Sequence, residues 1–308
     1  MRPLTILAPS RLLRRPLSLQ QVDQLWGYLF VAPQLAGFLL FVIGPVVAVF
    51  LFSMQQKNLL AGTTMFVGLK NFEQMLADPM FTKVLVNSGL FTLGLVPLNL
   101  VLALTLAFLL TRNLRGSTFF RTVFFAPVVT SAVAWAIVWR FMLQGEQGTV
   151  NQLLGYLSVH GPNWLREPGW AMAAVIVTRV MKTVGLNMLL FMAAIQALPR
   201  EVEEAAQVDG AGTAMVLRRI QLPLLAPTIL MVSVITVIGS LQVFDHIMLM
   251  TEGGPDNSTM VLVYYVYYQA FRTFETGYAS TLAVVLFVAA LLLTLLQWSM
   301  RRRIHNEV

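Results

Sequence analysis

The chain has 308 residues, of which 57% are hydrophobic and only 11% are charged, and its formal net charge is +7. A soluble domain usually carries about 25% charged residues. A chain of this composition cannot cover a globular surface with polar side chains, so its apolar excess must face lipid. The basic residues lie between apolar runs, so membrane topology explains the positive charge better than a nucleic-acid partner does.

Several kinds of chemistry are excluded by residues and motifs that the sequence lacks. There is no cysteine, which excludes disulfides and thiolate metal sites. The three histidines, His160, His246 and His305, are too widely spaced to suggest a metal cluster. The sequence has no G-x-x-x-x-G-K-[ST] motif, so we expect no ATP site of the P-loop type. We therefore predict no metal and no cofactor on this chain.

Six apolar stretches can cross a bilayer, which takes about 20 mostly apolar residues. Five of them contain no Asp, Glu, Lys, Arg or His: residues 24–56, 84–111, 122–139, 221–244 and 276–300. The remaining stretch, residues 170–197, is interrupted only by Arg179 and Lys182. The first stretch is far longer than the apolar part of a signal peptide, so we expect it to remain as an anchor. The fold class predicted is an all-α membrane protein with six transmembrane helices in residues 26–300.

The distribution of lysine and arginine, which favour cytoplasmic segments, predicts the orientation. With the N-terminus inside, the cytoplasmic segments hold 13 of these residues and the outer segments hold 6. Both termini are therefore predicted to be cytoplasmic, as an N-terminal segment 1–25 and a tail 301–308. The outer segments, near residues 55–83, 140–169 and 251–275, contain aromatic clusters that predict interfacial helices. One such cluster comprises Tyr264, Tyr265, Tyr267 and Tyr268.

The cytoplasmic segment 198–223 differs from the other connections. Pro199 suits the first turn of a helix, and Gly210 can adopt the left-handed conformation that ends it. A second short helix is predicted over residues 213–220, with Pro223 marking a bend into the fifth span. The small side chains of Ala205 and Ala206 allow close approach by a partner. A solvated connector between two spans is the alternative interpretation.

This segment resembles the EAA motif of ABC importer permeases, E-A-A-x-x-x-G-x9-I-x-L-P. All seven specified positions match at the right spacing: Glu204, Ala205, Ala206, Gly210, Ile220, Leu222 and Pro223. The resemblance implies a coupling helix that docks into a cleft on a cytoplasmic ATPase subunit. The residues that it implies for this contact are Glu204, Ala205, Ala206, Asp209, Gly210 and Pro223.

The outer segments resemble those of the sugar and glycerol-phosphate permeases of the maltose-transporter type. The residues concerned are 244–255 with Ser258 and Thr259, then Phe271 and residues 277–280, and residues 67–72 in the first outer segment. The resemblance favours the first of two permease subunits that form a heterodimer. It implies a second permease subunit, two ATPase subunits that bind ATP and Mg, and a periplasmic or extracellular solute-binding protein. The location that it implies is the bacterial cytoplasmic (inner) membrane, with several passes.

Residues of a solute path are proposed on the same resemblance and on polarity. Alignment with the maltose branch carries its sugar contacts onto Gly185, Met188, Thr236, Ser240 and Val243. Asn187 and Gln242 could add hydroxyl-compatible polar groups, and Lys182 lies within a span. For Gly185, Thr236 and Ser240 helix packing is the alternative, since small residues let membrane helices approach closely. Arg179 and Lys182 could instead pair with acidic groups or snorkel outward, and Asp245 and His246 could be interface residues.

The sequence thus predicts a permease without catalysis of its own, carrying a carbohydrate or related solute. The solute itself stays open between a monosaccharide, an oligosaccharide, a polyol, glycerol phosphate and a modified sugar. A secondary transporter driven by an ion gradient is the alternative. That alternative predicts inverted repeats and membrane-embedded ion ligands, and the sequence shows neither.

Overall fold

The computed structural model describes residues 19–58, 62–111 and 116–306. These ranges leave out most of the predicted N-terminal segment and the last two residues of the predicted tail. They also leave out Arg112 and Arg115, two of the residues counted as cytoplasmic in the predicted orientation. The chain divides between Val49 and Phe50 into two compact units. The described residues of the N-terminal unit are helical, and the larger unit contains the remaining elements.

Helices account for nearly all regular structure. Their bounds are α1 (Leu19–Phe38), α2 (Gly44–Ser53), α3 (Lys70–Ala77), α4 (Pro79–Thr111), α5 (Ser117–Val129), α6 (Ala132–Met142), α7 (Thr149–Tyr156), α8 (Pro168–Gln196), α9 (Arg200–Val208), α10 (Thr213–Val216), α11 (Leu222–Leu241), α12 (Leu262–Tyr267) and α13 (Thr276–Asn306). Four five-residue π-helical turns lie at Leu39–Ile43, Leu217–Gln221, Ile247–Thr251 and Tyr268–Arg272, and a 3-10 turn lies at Gly145–Gln147. The strands β1 (Gln55–Asn58) and β2 (Thr63–Phe66) form one antiparallel pair.

Among the described residues, five helices are long and apolar enough to cross a membrane. They are Trp26–Ser53, Pro79–Thr111, Pro168–Gln196, Thr213–Leu241 and Thr276–Gln297. Each coincides with a predicted apolar stretch, so these five predictions are confirmed. The orientation of the termini stays a prediction.

The third predicted span, residues 122–139, is not one helix. Helices α5 and α6 meet there at an angle of 104°. Thr130 and Ser131, between them, have extended backbone conformations (ψ 145° and 136°) that end one helix and begin the next. Helices of 13 and 11 residues are too short to cross about 30 Å of hydrocarbon alone. Hydropathy predicts the apolar stretch but does not reveal this break.

The core of the larger unit lies where α4, α8 and α11 pack together. Phe91 of α4, Met188 and Phe191 of α8, and Val232 of α11 belong to one buried apolar cluster. None of these four side chains is measurably exposed. Long-range packing between spans therefore fixes the arrangement of these three helices.

The first outer segment contains the β-hairpin, which the all-α prediction missed. Asn71 Nδ2 donates hydrogen bonds to the backbone oxygens of Ser53 (2.8 Å) and Gln55 (3.0 Å). A Cβ atom at Gly277, at the start of α13, would lie 1.9 Å from the oxygen of Gln55. The hairpin base is thus held between α3 and α13, and position 277 requires a residue without a side chain.

The third outer segment lies against the helices instead of forming a free loop. Asn87 Nδ2 of α4 donates hydrogen bonds to the backbone oxygens of Asn257 (2.8 Å) and Met260 (3.1 Å). Tyr264 and Tyr265 are buried. Helix α12 thus turns these two tyrosines into the protein, and the position of the aromatic cluster at the membrane surface stays a prediction.

A hydrogen-bonded cluster joins the starts of α4 and α13 to α12. It consists of Asp78, Tyr265 and Tyr278, and we call it the Asp78 cluster. Asp78 Oδ1 accepts a hydrogen bond from the Met80 N–H (2.8 Å), which caps α4. Its Oδ2 accepts hydrogen bonds from both tyrosine hydroxyls, each at 2.7 Å. Burial alone would raise the pKa of Asp78, but these hydrogen bonds outweigh burial and hold the pKa below its ordinary value of 3.8. Burial, and then the hydrogen bond to Asp78, raise the pKa of Tyr265 to about 12.

We expect Asp78→Asn to destabilise the protein by about 1 kcal/mol at pH 7, because it removes a charged acceptor of several hydrogen bonds from a partly exposed site. The folded-state pKa of Asp78 is lowered, so its contribution is present above the ordinary pKa and is lost as pH falls through the folded value. Thermal inactivation of the purified protein should therefore show a difference between wild type and variant that shrinks below about pH 4. The exposed Glu73→Gln is the control, and an equal effect there would contradict this role for Asp78.

Candidate functional site

The 198–223 hairpin begins with α9, which ends in a glycine-dependent turn. Gly210 has φ +83°, the left-handed conformation predicted for it. Its N–H donates to Gln207 O (3.0 Å), and the N–H of Ala211 donates to Ala206 O (2.9 Å). These two bonds form a Schellman motif, which satisfies the last carbonyls of the helix. Pro199 precedes the first turn of α9 instead of lying within it.

The second half of the hairpin runs straight into a membrane span. Residues Thr213–Leu241 form one continuous helix through the π-helical turn, in which the Leu222 N–H donates to Leu217 O. The predicted bend at Pro223 is therefore wrong. Pro223 lies in the first turn of α11, next to the π-helical turn, where the helix tolerates the missing N–H.

A side-chain hydrogen bond that the sequence did not predict connects the two arms of the hairpin. Gln221 Nε2 donates to Glu203 Oε1 at 2.6 Å. The two residues are 18 positions apart, and no periodicity relates them. This bond connects α9 to the start of α11 and so helps to fix the orientation of the hairpin relative to the span.

The hairpin presents an apolar and acidic surface that nothing in the described chain covers. Val208 is 88% exposed, and Val202 and Met215 are also exposed. Of the predicted contact residues, Glu204, Ala205, Asp209, Gly210 and Pro223 are exposed, and Ala206 is half-buried. Val202 and Val208 lie outside the spanning helices, and apolar side chains exposed in this way are typical of a docking surface.

Three of the polar residues proposed for the solute path, Asn187, Thr236 and Ser240, lie inside the α4–α8–α11 core. Asn187 Nδ2 donates to Asn99 Oδ1 (2.6 Å) and to Thr236 Oγ1 (3.0 Å). Thr92 and Ser240 share a hydrogen bond of 2.9 Å between their hydroxyls. These contacts satisfy Asn187, Thr236 and Ser240 within the chain, as membrane helix packing requires.

The other proposed path residues are placed as follows. Gly185 is a close-packing position, because a Cβ there would lie 2.0 Å from Phe124 O of α5. Met188 and Val243 are buried, and Gln242 is exposed. Val243 lies beyond the end of α11, so the helical spacing that relates it to Thr236 and Ser240 does not apply. Contact of this set with a solute stays a prediction.

Lys182 has a definite structural role. Its ammonium donates hydrogen bonds to the backbone oxygens of Pro127, Val128 (3.3 Å) and Thr130. These carbonyls belong to the C-terminal end of α5, where the helix leaves acceptors without partners and a partial negative charge. Lys182 therefore caps α5 at its break from α6, and it does not snorkel outward.

Two further ionisable groups lie close to Lys182. His246 is fully buried, and neither of its ring nitrogens has a hydrogen-bond partner. Arg179, one turn from Lys182, is half-buried, and Asp245 is the opposite charge that acts on it. His246 is thus enclosed by the protein, and the interface position of Asp245 and His246 stays a prediction. Within the part of the chain that the structure describes, no three histidine, aspartate, glutamate or cysteine side chains could together hold a metal ion.

Comparison with known proteins adds the family context. Residues 99–306 match the family described as binding-protein-dependent transport system inner membrane component. The chain is 34% identical to the lactose transport system permease protein LacF of Rhizobium radiobacter, over 91% of this chain and 95% of that protein. It is 32% identical to the arabinooligosaccharides transport system permease protein AraP of Bacillus subtilis, over 91% of this chain and 90% of that protein.

Two further matches concern an archaeal protein and a solved structure. The trehalose/maltose transport system permease protein MalF of Thermococcus litoralis is 31% identical, over 87% of this chain and 91% of that protein. A chain of a bacterial alginate ABC transporter, solved with an alginate pentasaccharide-bound periplasmic protein, superimposes with a TM-score of 0.82. That chain is 23% identical, and the match covers 92% of this chain and 97% of that one, so the two share a fold.

Proposed function

The chain belongs to the family of binding-protein-dependent transport system inner membrane components, and we propose that it forms part of the membrane path for a carbohydrate. It is a multi-pass protein of the inner membrane and a permease of an ABC importer. The 198–223 hairpin, with its glycine-dependent turn and exposed apolar side chains, is the observation that carries the proposed coupling to ATP hydrolysis.

Coupling is proposed to occur at the exposed end of the hairpin. Glu204, Ala205, Asp209 and Gly210 are accessible there, and Val208 adds an apolar side chain that a partner can bury. Ala206 and Gly210 keep the turn through the Schellman hydrogen bonds. A cleft on an ATPase subunit that receives α9 would cover the apolar side chains and accept the acidic ones at its rim. The continuous helix from Thr213 then carries displacement of the hairpin toward the membrane interior.

The partners proposed are a second permease subunit, two ATPase subunits and a solute-binding protein. ATP and Mg would bind to the ATPase subunits, and this chain would have no catalytic activity of its own. The alginate transporter that shares the fold was solved with its periplasmic protein, which supports the same kind of assembly here. Family membership also disfavours the alternative of a transporter driven by an ion gradient.

A carbohydrate is the solute class that the relatives favour. Three permeases that are 31% to 34% identical over most of their length are named for lactose, arabinooligosaccharides and trehalose or maltose. These solutes differ in sugar and in length, but all present many hydroxyl groups to hydrogen-bonding side chains. Monosaccharides, polyols and modified sugars stay within the proposal.

The test is to assemble the chain with an ATPase, a second permease and a binding protein from the same organism, and to measure ATP hydrolysis in proteoliposomes. Each carbohydrate of a panel that includes lactose, maltose, trehalose and arabinooligosaccharides is added with the binding protein. We expect at least one to stimulate hydrolysis and to accumulate inside the vesicles. If the binding protein fails to stimulate ATP hydrolysis with every solute of the panel, the proposed function is contradicted.

A further inference from the structure

A groove runs between α11 and α13 on the surface of the larger unit. Its volume is about 400 Å³, which lies within the range of small-ligand sites. Most of the side chains that line it are apolar, and Met231 and Ile235 are exposed. The α11 residues range from Pro227 to Ile235, so the groove is roughly 12 Å long at 1.5 Å per residue. We call it the α11–α13 groove, and its main lining residues are Pro227, Leu230, Met231, Val234, Thr294 and Gln297.

One end of the α11–α13 groove lies at the edge of the hydrocarbon layer. Gln297 is the last residue of the spanning segment Thr276–Gln297. Pro227, on the other wall, follows the start of α11 by five residues. In the predicted orientation these ends of the two helices are cytoplasmic. The groove therefore leads from the cytoplasmic edge of the membrane toward its interior, which is the direction that the acyl chain of an inner-leaflet lipid takes.

The α11–α13 groove contains a buried hydrogen-bond acceptor without a donor. Gln297 Oε1 is buried, and no group in the described part of the chain donates a hydrogen bond to it. The neighbouring hydroxyl of Thr294 does not supply one, because it donates to Ala290 O (2.8 Å). A buried acceptor left without a donor costs stability. An occupant that satisfies this site therefore carries a hydrogen-bond donor at the cytoplasmic end as well as an apolar body.

The chain is basic just beyond this end of the groove. Arg218 and Arg219 are exposed in the π-helical turn that precedes α11. Helix α13 continues past Gln297 through three consecutive arginines at residues 301–303. Neither α11 nor α13 contains an aspartate or a glutamate. Basic clusters directly cytoplasmic of a spanning helix attract anionic lipid headgroups, so the occupant that the charge favours is negative.

We propose that the α11–α13 groove binds one anionic phospholipid of the cytoplasmic leaflet, with an acyl chain along the groove and the phosphate near the arginines. A headgroup such as that of phosphatidylglycerol also carries hydroxyls, which can donate to Gln297 Oε1. One lipid thus supplies the apolar chain, the negative charge and the donor that the groove lacks. A helix of a second permease subunit would cover the apolar side chains but would bring no phosphate to the arginines. The inference depends on the membrane location of the chain and not on the solute.

The test counts the lipids that stay bound to the complete transporter. The transporter is reconstituted in vesicles of phosphatidylcholine and phosphatidylglycerol in equal parts and extracted into mild detergent, and its bound lipids are quantified by mass spectrometry. Val234→Trp fills the middle of the groove, so we expect it to retain about one phosphatidylglycerol fewer per transporter than wild type. The control is Leu292→Trp, which replaces a 60% exposed side chain of α13 that does not line the groove. We expect the control to retain as much as wild type.

A second variant, Gln297→Leu, tests the hydrogen bond without filling the groove. It keeps a side chain of similar size and removes the acceptor, so bound phosphatidylglycerol should fall while bound phosphatidylcholine does not change. Wild-type phosphatidylglycerol in both variants would overturn the inference. If Val234→Trp instead releases the second permease subunit and Gln297→Leu binds lipid as wild type does, a helix of that subunit occupies the groove and the inference is also wrong. If Val234→Trp does not fold, Gln297→Leu decides alone.

Discussion

Replacing Gly210 with valine is expected to abolish transport while ATP hydrolysis continues. Gly210 has φ +83°, and a left-handed conformation costs an ordinary L-residue about 1–2 kcal/mol and a β-branched residue more. Valine would therefore break the two hydrogen bonds of the Schellman motif and reorient α9. No atom lies within 4 Å of a Cβ built at position 210, so the effect comes from the backbone conformation and not from a clash.

Gly212→Ala is the matched control for this variant. Gly212 lies two residues further on, with equally open space, but its φ of −71° is available to any residue. Hydrolysis and solute uptake are measured together in proteoliposomes. We expect Gly212→Ala to keep both activities and Gly210→Val to keep only hydrolysis. Normal uptake by Gly210→Val would remove the basis for assigning coupling to this hairpin.

Replacing Lys182 with methionine is expected to have the second large effect, on stability and on uptake. Methionine keeps the length of the side chain but removes the ammonium donor from the carbonyls of Pro127, Val128 and Thr130. The Pro127 carbonyl keeps its bond from the Thr130 N–H (3.2 Å), so the other two lose most. Buried polar groups that lose their partners cost about 1–3 kcal/mol each, and more in a membrane. We expect the variant to lose about 3 kcal/mol of stability, part of the loss being recovered by water at Thr130, which is exposed.

The measurement is the midpoint of thermal inactivation of the assembled transporter, together with the rate of solute uptake. Lys182→Met should lower both, because the break between α5 and α6 is no longer held. Met181→Ala, at the exposed neighbouring position, should change neither quantity. Lys182→Arg keeps a cationic donor and should retain part of the wild-type behaviour. Wild-type values for Lys182→Met would show that the cap is dispensable.

The sequence predicted the features that depend on local chemistry. Five spans follow from runs of apolar residues, because each helix satisfies its own backbone in lipid. The turn at Gly210 follows from the conformational freedom of glycine at a helix end. In each of these cases the residues involved lie within one segment, so no knowledge of the rest of the fold is needed.

The features that the sequence did not predict depend on contacts between distant segments. The break in the third apolar stretch is stable because Lys182, more than 50 residues away, supplies hydrogen-bond donors to Pro127 and Thr130. The Glu203–Gln221 bond and the Asp78 cluster have no sequence pattern beyond the aspartate that precedes Pro79. The burial of Asn187, Thr236 and Ser240 likewise depends on which faces of α4, α8 and α11 meet.

Because the helix from Thr213 to Leu241 is continuous, a rotation at its hairpin end displaces its far end. This helix has 29 residues, so it is roughly 43 Å long, and its π-helical turn and Pro227 both lie in the half nearer the hairpin. A rotation of only about 5° at its hairpin end would displace the other end by roughly 4 Å. That end carries Ser240, which hydrogen-bonds to Thr92 of α4. A small movement outside the membrane is thereby amplified into a displacement wide enough to open or close a contact between spans.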